Sequence, residues 1–185
     1  MSLWIFGYGS LLWKPGFPYI EFKTARLSGY RRSFCMSSIH HRGSPQSPGL
    51  VLALDKCNGS ECLGLAFQIS SENQEKTLAY LRKRELISSA YLEVSLDISD
   101  FKDINHTAVT YIVDQTHEQY CADLTLSRQA AIISTAVGEM GSNAEYLFNT
   151  VAQMKSLDIP DAELELLADE VRRILDANSS PKRYK

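Results

Sequence analysis

Leu3-Trp4-Ile5-Phe6-Gly7-Tyr8-Gly9-Ser10-Leu11-Leu12-Trp13 is the stretch that decides the fold. It starts as an apolar, aromatic segment typical of a buried β-strand, and its two glycines then predict a tight turn. Glycine lets a ligand approach the main chain, and successive backbone N–H groups beside a hydroxyl suit a carboxylate or an oxyanion. A strand and turn without a ligand would have the same pattern. The candidate substrate-binding residues are Gly7, Tyr8, Gly9, Ser10 and Leu11.

Three better-known motifs are excluded at this turn. A dinucleotide-binding fingerprint needs a glycine where Leu12 stands and a helix that opens there, which Pro15-Gly16-Phe17-Pro18 prevents. A P-loop needs Gly-Lys-Ser or Gly-Lys-Thr, and the sequence contains neither. A nucleophile elbow around Ser10 needs glycines where Tyr8 and Leu12 stand. We therefore do not expect Ser10 to be a hydrolase nucleophile.

The composition is that of one globular domain. The chain has 185 residues, of which 44% are hydrophobic and 22% charged, with a net charge of −3. This charge gives little support to nucleic-acid binding. No apolar run approaches the length of a membrane span and the N-terminus has no basic lead, so we expect a cytoplasmic protein without a membrane partner. The four cysteines fit no zinc pattern and are expected to be reduced thiols, so no metal and no cofactor is predicted.

The order of the elements predicts an α+β fold, with strands first and helices mostly after them. Alternating or apolar runs predict strands, and Cys57-Asn58-Gly59-Ser60 predicts a hairpin between two of them. After the opening strand, the predicted strands are Phe22–Ser37, Leu50–Leu54, Cys62–Ile69, Tyr91–Ile98 and Thr107–Val113.

One helix signal lies in the first half of the chain, and the others lie in the second half. Two capping boxes, Ser71-Glu72-Asn73-Gln74 and Ser142-x-x-Glu145, mark helix starts. Pro160 suits a first helical turn. The predicted helices are 71–86, 127–139, 142–157 and 160–177. Residues 1–177 are expected to form a single domain, followed by a polar, basic tail over residues 178–185.

Glu85 is the carboxylate that the pattern places in an unusual position. It lies seven residues beyond Leu78 and four beyond Leu81, so at about 100° per residue it falls on the apolar stripe of its helix. An unpaired carboxylate on such a stripe tends to hold its proton. The alternative is that Glu85 lies at the helix end, reaches solvent and pairs with Arg82 or a neighbour.

Other polar residues carry weaker hypotheses. Arg42 could hold a substrate carboxylate with its planar fork, although an exposed arginine would look the same. Tyr146 suits core packing as well as ligand contact. His40 and His41 lie in a loop where solvent exposure is the ordinary outcome. Cys35 is a possible thiol nucleophile, but nothing in the sequence orients it.

Taken together, these segments resemble the ChaC-like γ-glutamylcyclotransferases. The matching segments appear in family order and extend to about residue 157. They are Trp4–Tyr19, Ser28–Phe34, His41-Arg42-Gly43 with Pro48-Gly49, Tyr80-Leu81-x-x-Arg84-Glu85 and Gly141-x-Asn143-x-Glu145-Tyr146-Leu147. One segment departs from some members, because Arg84-Glu85 is followed by Leu86-Ile87-Ser88-Ser89-Ala90-Tyr91 rather than by a short Gly-Gly-Tyr segment.

The resemblance implies a small closed or nearly closed β-barrel flanked by helices. It also implies a lyase that cyclises the γ-glutamyl group of glutathione to 5-oxoproline and releases cysteinylglycine, without metal or cofactor. The implied roles are acid/base for Glu85 and substrate holding for Tyr8 to Leu11.

Three alternatives remain open at this point. The substrate could be another γ-glutamyl amine or γ-glutamyl amino acid rather than glutathione. The protein could bind γ-glutamyl compounds without turnover, as a regulatory protein. A cysteine hydrolase that uses Cys35 is the third alternative. The sequence does not indicate an oligomeric state.

Overall fold

The computed structural model describes residues 3–87 and 89–179. Five strands close into a β-barrel in the spatial order β1-β3-β2-β4-β5, with an additional pairing between β3 and β5. The strands are β1 (Leu3–Gly7), β2 (Glu21–Ser38), β3 (Gly49–Ile69), β4 (Tyr91–Asp100) and β5 (Asn105–Val113). The predicted α+β class and the small closed barrel are confirmed.

Helices and a short two-stranded sheet complete the described residues. The α-helices are α1 (Gln74–Glu85), α2 (Leu126–Ile133), α3 (Asn143–Ser156) and α4 (Ala162–Ser179). Two 3₁₀ turns are formed by Ser10–Leu12 and Ser71–Asn73. The small sheet pairs β6 (Val137–Gly138) with β7 (Gly141–Ser142).

The chain divides into two compact units. The first comprises the described parts of Met1–Ser33 and Leu52–Tyr120, and the second comprises Phe34–Val51 with the described part of Cys121–Lys185. The prediction of one domain over residues 1–177 stays a prediction. Helix α4 includes residues 178 and 179 of the predicted tail, and the rest of that tail lies outside the described residues.

The core of the first unit is apolar and aromatic. Residues on β1 fill it because alternate side chains of a strand point to the same face. Its buried members include Trp4, Phe6, Leu27, Leu54 and Ile98, each at most 6% exposed. Burying side chains of this size stabilises the fold by roughly 1.5 to 3 kcal/mol each.

The predicted hairpin lies inside β3. Residues 65–69 pair antiparallel with β1, and β1 pairs parallel with β5. Leu54, at the other end of β3, pairs parallel with β5. The two ends of β3 therefore run in opposite directions. The reversal falls in the segment that contains Gly59, whose φ of 81° is a conformation that glycine adopts at little cost.

Two local predictions about helices were wrong. The first capping box does not form, because Ser71 begins a 3₁₀ turn and no side chain caps α1. Helix α2 ends at Ile133 rather than near Glu139. The N–H groups of Glu139 and Met140 instead donate to the carbonyls of residues 40 and 41, both at 3.0 Å. These long-range bonds hold the turn between β6 and β7, so tertiary pairing overrides helix propensity.

The second capping signal was correct, and it introduces a buried anchor. The Ser142 hydroxyl accepts a hydrogen bond from the N–H of Glu145 at 3.1 Å, which caps α3. The next residue, Asn143, is completely buried. Its side chain accepts from the N–H of Leu50 and donates to the carbonyl of Leu50, both at 2.7 Å. One amide thus satisfies both main-chain groups of a strand residue.

We expect Asn143→Ala to lower the free energy of unfolding by about 2 to 4 kcal/mol, because it leaves two buried main-chain groups without partners. Chemical denaturation measures this change. The matched control is Asn178→Ala at an exposed position of α4, where the change should stay within about 0.5 kcal/mol. Equal unfolding midpoints for the two variants would contradict the anchoring role.

Candidate active site

The glycine turn leaves β1 in a tight bend. A Cβ atom on Gly7 would lie 2.8 Å from the Cβ of Leu11, so this close approach requires glycine. The first bond of the 3₁₀ turn runs from the N–H of Leu12 to the carbonyl of Gly9, at 2.9 Å. The N–H groups of residues 9, 10 and 11 therefore precede the hydrogen-bonded turn, as the first N–H groups of a helix do. These are main-chain N–H groups of the predicted substrate-binding turn, and their contact with a ligand stays a prediction.

A buried arginine holds the main chain of the turn through a hydrogen bond. Arg32 on β2 is 8% exposed, and its Nε donates to the carbonyl of Tyr8 at 2.5 Å. Another guanidinium nitrogen of Arg32 donates to the carbonyl of Leu63. The sequence analysis did not single out Arg32. Two adjacent arginines in a strand were a usable signal, because neighbouring strand residues point to opposite faces.

The side chain of Tyr8 is held by β5, the strand that pairs with β1. Its residue is 8% exposed, and its hydroxyl donates to the main-chain carbonyl of Tyr111 at 2.9 Å. The main chain of the turn is therefore held by Arg32 and the Tyr8 side chain by β5. A turn anchored at both points is a rigid support for a binding site.

Glu85 is the last residue of α1 and lies on its buried stripe. Leu81 is completely buried and Leu78 is partly buried, as the spacing predicted. The Glu85 side chain is only 20% exposed. Burial raises the pKa of the Glu85 carboxyl, and the positive charge of Arg84 lowers it by a smaller amount. Of the partners named in the alternative, the neighbour Arg84 pairs with Glu85. Arg82 instead donates to both carboxylate oxygens of Glu93, at 2.9 and 2.7 Å.

Arg84 joins Glu85 to the glycine turn. Its Nε lies 3.1 Å from Oε1 of Glu85, and its Nη2 donates to the Ser10 hydroxyl at 2.7 Å. Its Nη1 donates to the carbonyl of Lys14 at 2.8 Å. The structure therefore brings the predicted acid/base residue and the predicted binding turn together, within the first unit.

Tyr111 is a second site residue that the sequence analysis missed. It is 2% exposed, and its hydroxyl donates to Oε2 of Glu93 at 2.9 Å. Burial, the bond to Glu93 and the negative charges of Glu93 and Glu85 raise the pKa of the Tyr111 hydroxyl. Tyr111 therefore stays a neutral phenol over the ordinary pH range. No local pattern marks it, since an aromatic residue in a strand is most often core.

Arg42 and Tyr146 lie in the second unit and pack on each other. The guanidinium carbon of Arg42 is 5.2 Å from the centre of the Tyr146 ring. Arg42 is 8% exposed, and its Nη1 donates to the carbonyl of Ser142 at 3.3 Å. The Tyr146 ring also meets Phe34 edge to face at 5.9 Å. Core packing is therefore confirmed for Tyr146, and substrate contact stays a prediction for both residues.

The arrangement in the first unit suits proton transfer beside an anion-holding turn. A sheltered carboxylate can take and return a proton, and main-chain N–H groups can stabilise developing negative charge. Within residues 3–87 and 89–179, no cluster of three His, Cys, Asp or Glu side chains is placed to hold a metal ion. No helix in the same ranges is long and apolar enough to cross a membrane.

Comparison with known proteins assigns the chain to a family. A family model described as ChaC-like protein matches residues 3–174. The chain belongs to the ChaC-like family.

Several relatives of this ChaC-like protein match over most of its length. The glutathione-specific γ-glutamylcyclotransferase of Escherichia coli (strain K12) is 36% identical over 178 residues, which cover 95% of this chain and 75% of the relative. Glutathione-specific γ-glutamylcyclotransferase 1 of Homo sapiens is 34% identical, with 90% of this chain and 76% of the relative covered. Gamma-glutamylcyclotransferase 2-3 of Arabidopsis thaliana is 33% identical, with 95% of this chain and 91% of the relative covered.

The fold also matches a solved structure. The crystal structure of a yeast γ-glutamyl cyclotransferase specific to glutathione superposes with a TM-score of 0.88 over 97% of this chain and 99% of that one. The identity is 21%, so this likeness establishes the fold.

We expect Glu85→Gln to stabilise the ChaC-like protein more at high pH than at low pH. Because burial raises the folded-state pKa of Glu85 above its unfolded value, ionisation of Glu85 costs stability as the pH rises between the two values. The amide variant avoids that cost. The stability advantage over wild type should therefore grow from about pH 4 to about pH 8 in urea unfolding.

The control is Glu61→Gln at an exposed position, which should give no such pH-dependent gain. An advantage for Glu85→Gln that is constant with pH, or that shrinks as the pH rises, would contradict the sheltered carboxylate.

Proposed function

We propose that this ChaC-like protein is a lyase that cyclises the γ-glutamyl group of glutathione, giving 5-oxoproline and cysteinylglycine. The single observation that carries the proposal is the sheltered Glu85 carboxylate, joined through Arg84 to the glycine turn. The names of the bacterial and human relatives support glutathione as the substrate.

The reaction needs no nucleophile from the enzyme. The α-amino group of the γ-glutamyl unit attacks its own γ-carbonyl, closes a five-membered lactam and expels the cysteinyl amine. Both reacting groups belong to one molecule, so folding the substrate back on itself supplies the effective molarity. The Ser10 hydroxyl accepts a hydrogen bond from Arg84. Its proposed role is therefore positioning rather than nucleophilic attack. The proposed reaction also requires no metal or cofactor.

Glu85 moves the protons. As a base it takes one proton from the α-ammonium group, and as an acid it returns one to the leaving amine. An ammonium of pKa about 8 facing an ordinary glutamate of about 4.3 makes the first transfer uphill by roughly 3.5 units, or about 5 kcal/mol. Burial raises the pKa of Glu85 and so narrows this gap.

The turn from Gly7 to Leu11 holds the substrate. Its main-chain N–H groups can donate hydrogen bonds to either the α-carboxylate or the developing oxyanion, since both are anionic oxygens. Gly9 directly precedes the 3₁₀ turn, and glycine lets a ligand approach the main chain.

The remaining assignments are proposed on the same basis. The proposed location is the cytoplasm, where thiols stay reduced, and all four cysteines, which lie in the described ranges, are thiols. Cys35 is completely buried, which disfavours the cysteine hydrolase. The substrate is a small molecule, and Arg42 and Tyr146 are kept as proposed substrate-binding residues.

We expect Glu85→Gln to retain the fold and glutathione binding but to lower turnover by at least about 100-fold, because an amide cannot take the proton. Release of 5-oxoproline, detected by mass, measures turnover, and a thermal shift with glutathione measures binding. Glu61→Gln is the control with ordinary activity.

Near-normal turnover in Glu85→Gln would refute the acid/base role. A substrate panel of glutathione, γ-glutamyl amines and γ-glutamyl amino acids tests the specificity. Faster cyclisation of the last two would favour the broader cyclotransferase, and binding without any cyclisation would favour a regulatory protein.

We expect Gly9→Val to raise KM for glutathione by roughly tenfold or more, because the branched side chain obstructs the turn. Steady-state kinetics measures KM, and thermal unfolding checks that the variant is folded. An unchanged KM would mean that the turn is a structural bend without a binding role.

A further inference from the structure

All three nitrogens of the Arg84 guanidinium contact polar atoms, which lie on α1 and on the chain that follows β1. Nε faces Oε1 of Glu85 at 3.1 Å, and Nη2 donates to the Ser10 hydroxyl at 2.7 Å. Nη1 donates to the carbonyls of Lys14 and Pro15, at 2.8 and 3.3 Å, and to the Tyr80 hydroxyl, at 3.0 Å. The Arg84 side chain is 20% exposed, and its bonds to the Ser10 hydroxyl and the Pro15 carbonyl are partly buried.

This geometry answers a problem that the position of Glu85 creates. Glu85 is the last residue of α1, where a helix frays most readily, and a glutamate has three side-chain torsions to fix. General acid/base catalysis requires the carboxylate within about 3 Å of the proton that it takes. A rigid, planar arginine fork can fix that distance where a flexible ammonium cannot.

We propose that Arg84 is a positioning residue that fixes the Glu85 carboxylate against the substrate-binding turn. The inference rests on the proposed function, in which Glu85 transfers the protons. Arg84 itself touches Glu85 and the turn rather than the reacting atoms. It couples the helix end to the loop after β1, so that the base and the bound substrate keep one relative position.

The charge of Arg84 has a second effect on the same carboxylate. Arg84, on the same helix, is the charged group that acts on the pKa of Glu85. The negative charge of Glu85 in turn helps to raise the pKa of the Tyr111 hydroxyl on β5. The Tyr111 hydroxyl donates a hydrogen bond to Glu93 of β4, and Glu93 forms an ion pair with Arg82. Arg84 is therefore the cation in direct contact with Glu85, and it lowers the pKa that burial has raised. Its removal should move the Glu85 pKa upward.

The test compares three variants. Arg84→Met removes the fork and the charge, and Arg84→Lys keeps the charge without the fork. Lys83→Met removes one positive charge from an exposed position of the same helical turn and serves as the control. Initial rates of 5-oxoproline release from glutathione are measured over the pH range, with thermal unfolding as the check on folding.

We expect Lys83→Met to match wild type. Arg84→Met should lower kcat between about 10-fold and 100-fold, with a much smaller change in KM, because the base is misplaced while the turn still binds. The acid limb of its kcat/KM profile should move to higher pH. Arg84→Lys should return the acid limb toward its wild-type position and leave kcat low.

Two outcomes would overturn the proposal. One is an Arg84→Met enzyme whose kcat stays within about twofold of Lys83→Met, a difference too small for a misplaced base. The other is a lower kcat with an unmoved acid limb. If Arg84→Met does not fold, Arg84→Lys decides alone. A low kcat with an unmoved acid limb then supports the fork, and a wild-type kcat overturns it.

Failure of the proposed function has its own signature. If wild type and Lys83→Met also release no 5-oxoproline, the enzymatic assignment fails. The Arg84–Glu85 contact is then judged by ¹³C NMR of the Glu85 carboxyl carbon. A titration midpoint at higher pH in Arg84→Met than in Lys83→Met supports the contact, and equal midpoints overturn it.

Discussion

A carboxylate kept largely out of water at the end of an apolar helix stripe is the constraint on which the first unit depends. Burying an ionisable group costs stability unless it is paired or holds its proton. Glu85 is paired with Arg84, and burial still raises its pKa. Such a residue lowers the stability of the fold but is suited to proton transfer. Its position is therefore better explained by chemistry than by packing.

The barrel supplies the rest of the arrangement. Strand β1 delivers the glycine turn, β2 supplies Arg32 to its main chain, and β5 accepts the hydroxyl of Tyr8. Helix α1 is tied to β4 through the bidentate pair of Arg82 and Glu93. Each element thus fixes one side of the site. A proton-transfer site of this kind needs rigid support, because small displacements of the base are costly.

The sequence predicted what local patterns control. The opening strand, the hairpin at Gly59 and the Ser142 cap follow from alternation, turn chemistry and hydroxyl spacing, all of which act within a few residues. The stripe position of Glu85 also followed from helical spacing. The resemblance to the ChaC-like family added the activity, which no pattern in the residues supplies alone.

The contacts that the sequence could not predict join distant segments. Arg32 meets the carbonyl of Tyr8 24 residues away, and Tyr8 meets Tyr111 across 103 residues. The early end of α2 has the same origin, because Glu139 and Met140 bond to the loop at residues 40 and 41. The partner of Glu85 was left open by the sequence, because Arg82 and a neighbour were both within reach. The structure pairs Glu85 with Arg84, and Arg82 donates to Glu93 of β4.

The most direct measurement compares two titrations of the wild-type protein. One follows the Glu85 carboxyl carbon by ¹³C NMR, and the other follows kcat/KM for the release of 5-oxoproline from glutathione. We expect the NMR midpoint to lie above about 4.3, the value of an ordinary glutamate, and to coincide with the acid limb of the kinetic profile. A Glu85 midpoint at the ordinary glutamate value, or an acid limb that lies away from the Glu85 midpoint, would contradict a sheltered glutamate as the acid/base residue.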